Sequence, residues 1–369
     1  MPHSEQKVRE PLFHIAKRDS IVWWKAWLIR GVVLLAALVF AGLVSFLLTK
    51  ENPLRIYMTM LEGAFGTQRR IWGLMQNLAM LLCVSVAVTP AFKMRFWNIG
   101  AEGQVLIGGL ATAACMILLG DKLPNPLLLL VMIAASVAAG AVWGVIPAFF
   151  RANWQTNETL FTLMMNYIAI QLVSFFTYKW SVPKGSGQVG VINRATHAGW
   201  LPSLGGHDYL INIIIVLLIT FAMYVYLKYS KQGYEIAVVG ESENTARYIG
   251  IPVKKVIIRT MLISGAICGI SGLLMVAGTD HTISRDTAAG RGFTAIMVSW
   301  LAKFNSFYMI LTSFLIVFLQ KGATEISTAF SLNESFSDII TGIIIFFIIS
   351  SEFFIQYSVR FRRKEAAAS

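Results

Sequence analysis

An all-α protein that crosses a membrane many times is the fold class this sequence predicts, on three observations. Only 14% of its 369 residues are charged and 56% are hydrophobic, against roughly a quarter charged in ordinary soluble domains. The apolar residues are gathered into runs of the length that spans a hydrocarbon core, about 20 residues each. The mean hydropathy is +0.65, and the basic residues behind the net charge of +12 stand at the ends of those runs, where cations orient a membrane protein. That scatter excludes the concentrated basic patch expected of a nucleic-acid partner. Cys83, Cys115 and Cys268 lie within apolar runs without metal-ligand spacing and read as packing residues.

Residues 1–30 form a basic N-terminal tail in which Trp23, Trp24 and Trp27 mark an aromatic interface. The first apolar run is long enough to span, so no cleavable leader is read there. Spans follow at 31–48, 71–91, 99–119, 127–150 and 160–176. A Gly- and Pro-rich loop at 180–208 precedes spans at 210–227 and 256–278, which flank a polar stretch at 228–256. Residues 288–320 are irregular: an apolar piece at 293–302, a polar break at 303–306 with Lys303 left at depth, and a second piece at 307–320. They read as a re-entrant half-helix pair. A last span at 339–354 leads to a basic tail at 358–369 that includes Arg360, Arg362, Arg363 and Lys364. The expectation is about eight spanning helices plus the re-entrant pair in one transmembrane domain, 31–357. Most Lys and Arg fall on the side that then holds both termini and 228–256, which makes that side cytoplasmic; Arg69 and Arg70 oppose it weakly. The 180–208 loop is extracellular in this topology.

Within 228–256, Glu241-Ser242-Glu243-Asn244 reads as a helix start, with small polar caps and acids in the first turn. Ala246, Arg247, Tyr248 and Ile249 continue it, and Gly250 before Ile251-Pro252 ends it. Such a helix is either a docking element for a second protein or a solvated connector.

Two stretches break the apolar pattern at comparable positions in the two halves. Trp97 to Gln104 and Ala288 to Thr294 are each a Gly-rich helix start that continues apolar. Paired interrupted helices point to a transport pathway, because N–H groups freed at depth need partners; glycines that only permit close helix packing are the alternative. Gln76, Asn77, Glu102, Gln104, Asn166, Gln171 and Lys303 are polar within or beside apolar runs. A charge at bilayer centre costs roughly 2.5–3.5 kcal/mol on insertion scales, so Glu102 has a partner, an aqueous cavity or an interfacial position near Lys93 and Arg95.

Enzyme chemistry finds no support. No phosphate-binding Gly-Lys loop occurs, and His3, His14, His197, His207 and His281 lack zinc-site spacing. Ser203, His207 and Asp208 are too close in sequence to suggest a triad, and Asn333-Glu334-Ser335 is an uninformative glycosylation pattern.

Phe96-Trp97-Asn98-Ile99-Gly100-Ala101-Glu102-Gly103-Gln104 resembles the Phe-Asn-Ile-Gly-x-Glu-Gly-Gln signature of permease subunits in bacterial ABC importers for nucleosides and simple sugars. Asn157-Glu158-Thr159 with Leu163-Met164-Met165-Asn166-Tyr167-Ile168-Ala169 resembles that family's Asn-Glu-x start and Met-x-Asn-Tyr segment. Gly240 through Ile251 resembles its coupling segment, and Gly292-Phe293-Thr294-Ala295-Ile296 its second-half half-helix. Trp97 is an insertion against the signature, and Lys303-Phe304-Asn305-Ser306 replaces a Gly-x-Asn-Pro turn.

The resemblance implies a vitamin B12 importer-like, type II permease fold of up to ten helices in the bacterial cytoplasmic membrane. It implies pairing with a second permease chain and a cytoplasmic ABC ATPase that binds ATP-Mg, since no cofactor is expected on this chain. An extracellular solute-binding protein or lipoprotein then delivers a nucleoside, or a pentose or other simple sugar, for alternating access. On that reading Asn98, Glu102, Gln104, Asn166, Thr294 and Ser299 belong to the translocation pathway. Glu241, Asn244, Ala246, Arg247, Tyr248 and Gly250 couple to the ATPase, and Lys184, Arg194, Arg285 and Arg291 dock the binding protein. The competing expectation is an ion-coupled secondary transporter that works without an ATPase.

Overall fold

The computed structural model describes residues 13–18 and 21–361. The distal parts of both basic tails, with His3 and Arg362 to Lys364, lie outside the described residues. Among the described residues nine helices are long and apolar enough to cross a membrane. The chain divides into two compact units, 1–66 with 319–369 and 67–318.

In the first unit α1 (Trp23–Thr49) packs along α13 (Glu334–Gln356). Arg30 Nη2 meets Glu352 Oε1 at 2.5 Å. Strand β1 (Phe13–Lys17) pairs antiparallel with β2 (Tyr357–Phe361), Phe13 opposite Phe361, so the start of α1 and the end of α13 come together on one side. Between them α2 (Pro53–Phe65) is too short to span. Asn52 caps it, accepting from the Leu54 N–H at 2.9 Å, with Pro53 at the first helical position. Its buried residues Ile56, Met60, Gly63 and Ala64 recur at helical spacing.

The second unit holds α3 (Gln68–Lys93), α4 (Ala101–Leu119), α5 (Asn125–Trp154), α6 (Glu158–Trp180), α7 (Leu210–Tyr229), α8 (Lys231–Glu241), α9 (Glu243–Tyr248), α10 (Val253–Met275), α11 (Arg291–Leu301) and the first half of α12 (Ser306–Ala329). Helix α10 is the most buried of the span-length helices and continues into a π-helical turn, Val276–Asp280. It packs against α4 and α5 at backbone distance. A Cβ on Gly140 would lie 2.8 Å from Gly269 Cα, and one on Gly144 would lie 2.8 Å from the Met261 carbonyl. Small residues at such crossings let apolar helices gain van der Waals contact where lipid supplies no hydrophobic drive.

The region read as a re-entrant pair is built differently. Arg291 Nη2 donates to Asn77 Oδ1 (2.9 Å) and Ser299 Oγ to the Ser85 carbonyl (2.9 Å), so α11 runs parallel to α3. It starts nine residues into α3, about 14 Å along the axis at 1.5 Å per residue, and the non-helical 281–290 segment carries the chain to that depth. Helix α11 ends beside the end of α3, where Trp97 stacks on Trp300 (5.6 Å) and packs edge-on against Phe92 (5.8 Å). Lys303 thus lies in the exposed turn at that end and not at depth. Helix α12 has 24 residues and is long enough to span, so one short helix and one full-length helix replace the expected half-helix pair.

Candidate functional site

The two Gly-rich breaks meet. Helix α4 begins after the Trp97–Gly100 turn with N–H groups that need acceptors. The Gly100 N–H donates to Asn98 Oδ1 (3.1 Å) and the Gly103 N–H to Asn166 Oδ1 of α6 (2.8 Å). Asn166 Nδ2 donates in turn to the Ile99 carbonyl (2.9 Å), and the Ile99 N–H reaches Thr162 Oγ1 (3.2 Å). Gln104 Nε2 donates to Asn98 Oδ1 (3.2 Å), and Asn98 Nδ2 contacts Ser264 Oγ of α10 (3.4 Å). The start of α4 is thereby wired to α6 and α10.

Glu102 carries the wiring on to the second break. Its Oε1 accepts from the Gly290 N–H (2.8 Å) and its Oε2 from the Gly292 N–H (2.7 Å). A carboxylate on the first turn of α4 therefore caps α11, in the position where a helix dipole favours negative charge. Gly292 has no room for a side chain, since a Cβ there would lie 2.7 Å from Glu102 Cα. Gly290 takes φ +70°, the left-handed region. Asn98, Gln104 and Ser299 are fully buried, as are Asn166 and, at 7% exposure, Glu102. Each makes hydrogen bonds within the chain; Thr294 is half-buried and donates to the Gly290 carbonyl (3.2 Å).

Arg291 was expected at the outer surface. Instead it turns inward, with its guanidinium on Asn77 and on the carbonyls of Thr287 (3.4 Å) and Ala288 (3.5 Å), and within electrostatic reach of Asp280 and Glu102. Burial at depth leaves this cation dependent on partners inside the chain. Lys184, Arg194 and Arg285 are exposed.

The polar stretch after α7 folds as two helices where the sequence suggested one. Ser230 caps α8, and a second break at Ser242 caps α9, its Oγ accepting from the Thr245 N–H (3.2 Å). Glu241 is thus the last residue of α8. Gly250 ends the segment at φ +86°. Arg259 Nη2 ties α10 to Glu235 of α8 (2.9 Å). Arg151, at the end of α5, bridges Glu158 of α6 (3.2 Å) and Glu243 of α9 (3.2 Å), and Glu243 also pairs with Arg247 (3.1 Å). Tyr248 is 93% exposed, and Ile249, Glu241, Asn244 and Arg247 are exposed beside it. Ala246, expected to face a partner, is fully buried against its own chain because α9 presents that face inward.

Sequence reasoning missed α2, α8, Thr162, Ser264 and the Arg151–Glu158–Glu243 network. The ends of α5, α6 and α9 could have suggested the network, since each carries one member beside a helix terminus. Among the described residues no cluster of three His, Cys, Asp or Glu could hold a metal.

The family model for "branched-chain amino acid transport system / permease component" matches residues 71–349. The chain is 29% identical to a glucose ABC transporter permease protein of Haloferax volcanii, over 93% of this chain and 92% of that one. It is 28% identical to a guanosine ABC transporter permease protein of Bacillus subtilis, over 87% and 91%. A nucleoside ABC transporter permease protein of Lactococcus lactis is 27% identical over 86% and 90%. ABC permeases act with an ATPase and a substrate-binding protein, which displaces the ion-coupled alternative. The interrupted helices joined by Glu102 thus sit in a chain that belongs to the branched-chain amino acid transport permease family, as a multi-pass plasma-membrane subunit of an ABC importer and not an enzyme.

Proposed function

We propose that the chain carries nucleosides or simple sugars inward by alternating access, paired with a second permease chain in a type II arrangement. A cytoplasmic ATPase bears on α9, and both termini share its side of the membrane. The observation that carries this reading is Tyr248. A 93%-exposed aromatic stands next to exposed Ile249 on a helix whose base is held by ion pairs. Rigid aromatic anchors of this kind dominate the energetics of interfaces. The solute class follows the relatives, whose names specify guanosine, nucleosides and glucose.

Motion of α9 has a connected route to the joint in mid-span. Glu243 pulls on Arg151, Arg151 on Glu158 at the start of α6, and α6 holds the start of α4 through Thr162 and Asn166. Glu102 then passes the displacement to the start of α11. Asn98, Gln104, Asn166 and Ser299 act in this reading as the frame of the pathway, and Thr294 is its half-exposed member. Lys184, Arg194 and Arg285 meet the binding protein at the opposite end of the unit.

Reconstitution of the chain with its ATPase and binding protein tests this. Tyr248→Ala should weaken ATPase docking by about thirtyfold, a loss of roughly 2 kcal/mol, and abolish uptake of labelled guanosine or glucose without loss of membrane insertion. Normal uptake by Tyr248→Ala, or uptake by the chain alone under an ion gradient, refutes the proposal.

A further inference from the structure

At the end of the second unit away from α9, the π-helical turn of α10 and the long loop before α7 enclose a half-open cavity of about 600 Å³. That volume falls within the usual range for small-molecule sites. The loop is fixed to the π turn by backbone bonds, the Leu201 N–H donating to the Ala277 carbonyl (3.0 Å) and the Ile192 N–H to the His281 carbonyl (2.8 Å). Trp200 is clamped between His197 (4.3 Å) and His281 (3.7 Å, planes 5° apart), with its indole N–H donating to the Ile192 carbonyl (2.9 Å). The wall is therefore built of stacked rings and paired backbone. The π turn itself is a rare geometry that recurs at functional sites.

The lining has a definite chemistry. Asp208 contributes an exposed carboxylate, and Ser203 and Tyr209 contribute hydroxyls. Asn125 Oδ1 already accepts from the Gly199 N–H (2.8 Å), which leaves its amide NH₂ to donate. Leu201 and Pro202 add apolar surface. Among the described lining residues there is no Lys or Arg, so no fixed positive charge compensates an anion at neutral pH, and a purely apolar guest would leave the polar groups unmatched.

We propose that this cavity is an acceptor site for a neutral ring bearing neighbouring hydroxyls, either a free sugar or the ribose of a nucleoside. The carboxylate of Asp208 can accept from two hydroxyls at once, the Asn125 amide can donate to a third oxygen, and Leu201 with Pro202 can cover the C–H face of the ring. The identity of the arriving solute rests on the importer reading above; the existence of the site does not.

The test uses the full chain alone in detergent, titrated calorimetrically with glucose, ribose and guanosine, with inorganic phosphate and tetramethylammonium as competitors. At least one of the three hydroxylated solutes should bind saturably, with neither competitor displacing it. Asp208→Asn should weaken binding about tenfold or more, as expected for one charge-assisted hydrogen bond, and Ser203→Trp should abolish it by filling the mouth. Both positions are exposed, so both variants should fold. Absence of saturable binding, displacement by tetramethylammonium, or wild-type affinity in both variants overturns the site. In the reconstituted importer, unchanged uptake by Ser203→Trp beside lost uptake by Tyr248→Ala removes the cavity proposal and leaves the importer reading standing. Failure to assemble with an ATPase removes the importer reading, while the titration still decides the site.

Discussion

Replacement of Glu102 should unfasten the start of α11. In Glu102→Ala the Gly290 and Gly292 N–H groups, now bonded at 2.8 and 2.7 Å, lose both acceptors inside the protein. An unsatisfied buried donor costs about 1–3 kcal/mol; Gly292 is buried and Gly290 half-buried, so the pair costs at most about 2–6 kcal/mol. At about 1.4 kcal/mol per tenfold, local opening of the 288–294 segment should rise by a factor of roughly 30 to at most 2 × 10⁴. Glu102→Gln keeps one acceptor and turns an NH₂ toward the other N–H, so it should lose about half as much. Hydrogen exchange followed by mass spectrometry on the purified chain reads this directly, with the α8–α9 segment as internal control. Exchange at 288–294 that matches the unaltered chain in both variants would show that the carboxylate is not what holds α11. A rise of the same size throughout the second unit would point to global unfolding and likewise defeat the claim.

Other perturbations separate further parts of the structure. Ala246→Trp should lower thermal stability of the chain even with no partner present, because Ala246 is fully buried and overpacking costs about 1–3 kcal/mol; an unchanged melting temperature with lost ATPase docking would restore the outward reading. Arg151→Ala should reduce coupling between ATP hydrolysis and uptake, and in a double-mutant cycle with Glu243→Ala the losses should be non-additive; strict additivity removes Arg151 from the route. Burial holds the His281 imidazole below its usual range, with His197 reinforcing and Asp208 opposing the shift. With the loop undocked, His281 binds more protons, so docking of 181–208 on the π turn should be intact at neutral pH and weaken as pH falls below about 6.5. Loop exchange that is flat from pH 7.5 to 5, or equally pH-dependent in His281→Gln, contradicts that assignment.

The span-length helices were legible because apolar runs of about 20 residues have few other uses. Gly250 was legible too, since a Gly just after a short capped helix signals a left-handed stop, and its φ is +86°. Helix α2 carries a strong start signal in Asn52-Pro53, followed by Ile56, Met60 and Ala64 at helical spacing, but at thirteen residues it is too short to stand out as an apolar span. Helix α12 was cut short because Lys321 and Glu325 interrupt its apolar run, a reading that mistakes charge near a helix end for the end itself. The inward turn of Ala246 and Arg291 depends on how α9 and α11 pack, which no local pattern encodes. Trp97, an insertion against the family signature, packs its ring against Phe92 and Trp300, a role its local sequence does not encode.

The polar residues of the two breaks were grouped as pathway residues because polarity at depth is expensive and demands a use. Asn98, Glu102, Gln104 and Asn166 spend their hydrogen bonds on the backbone of α4 and α11 and on one another. A side chain whose donors and acceptors are all engaged by its own fold has little left with which to distinguish one solute from another. Selectivity in such an importer would then rest on groups outside the joint, on the binding protein and on surfaces such as the Asp208 cavity. The joint supplies something else: a fixed link between two interrupted helices that must move together or lose buried hydrogen bonds. That link explains why a carboxylate suits this position, where a neutral amide could hydrogen-bond only one of the two N–H groups that Glu102 satisfies.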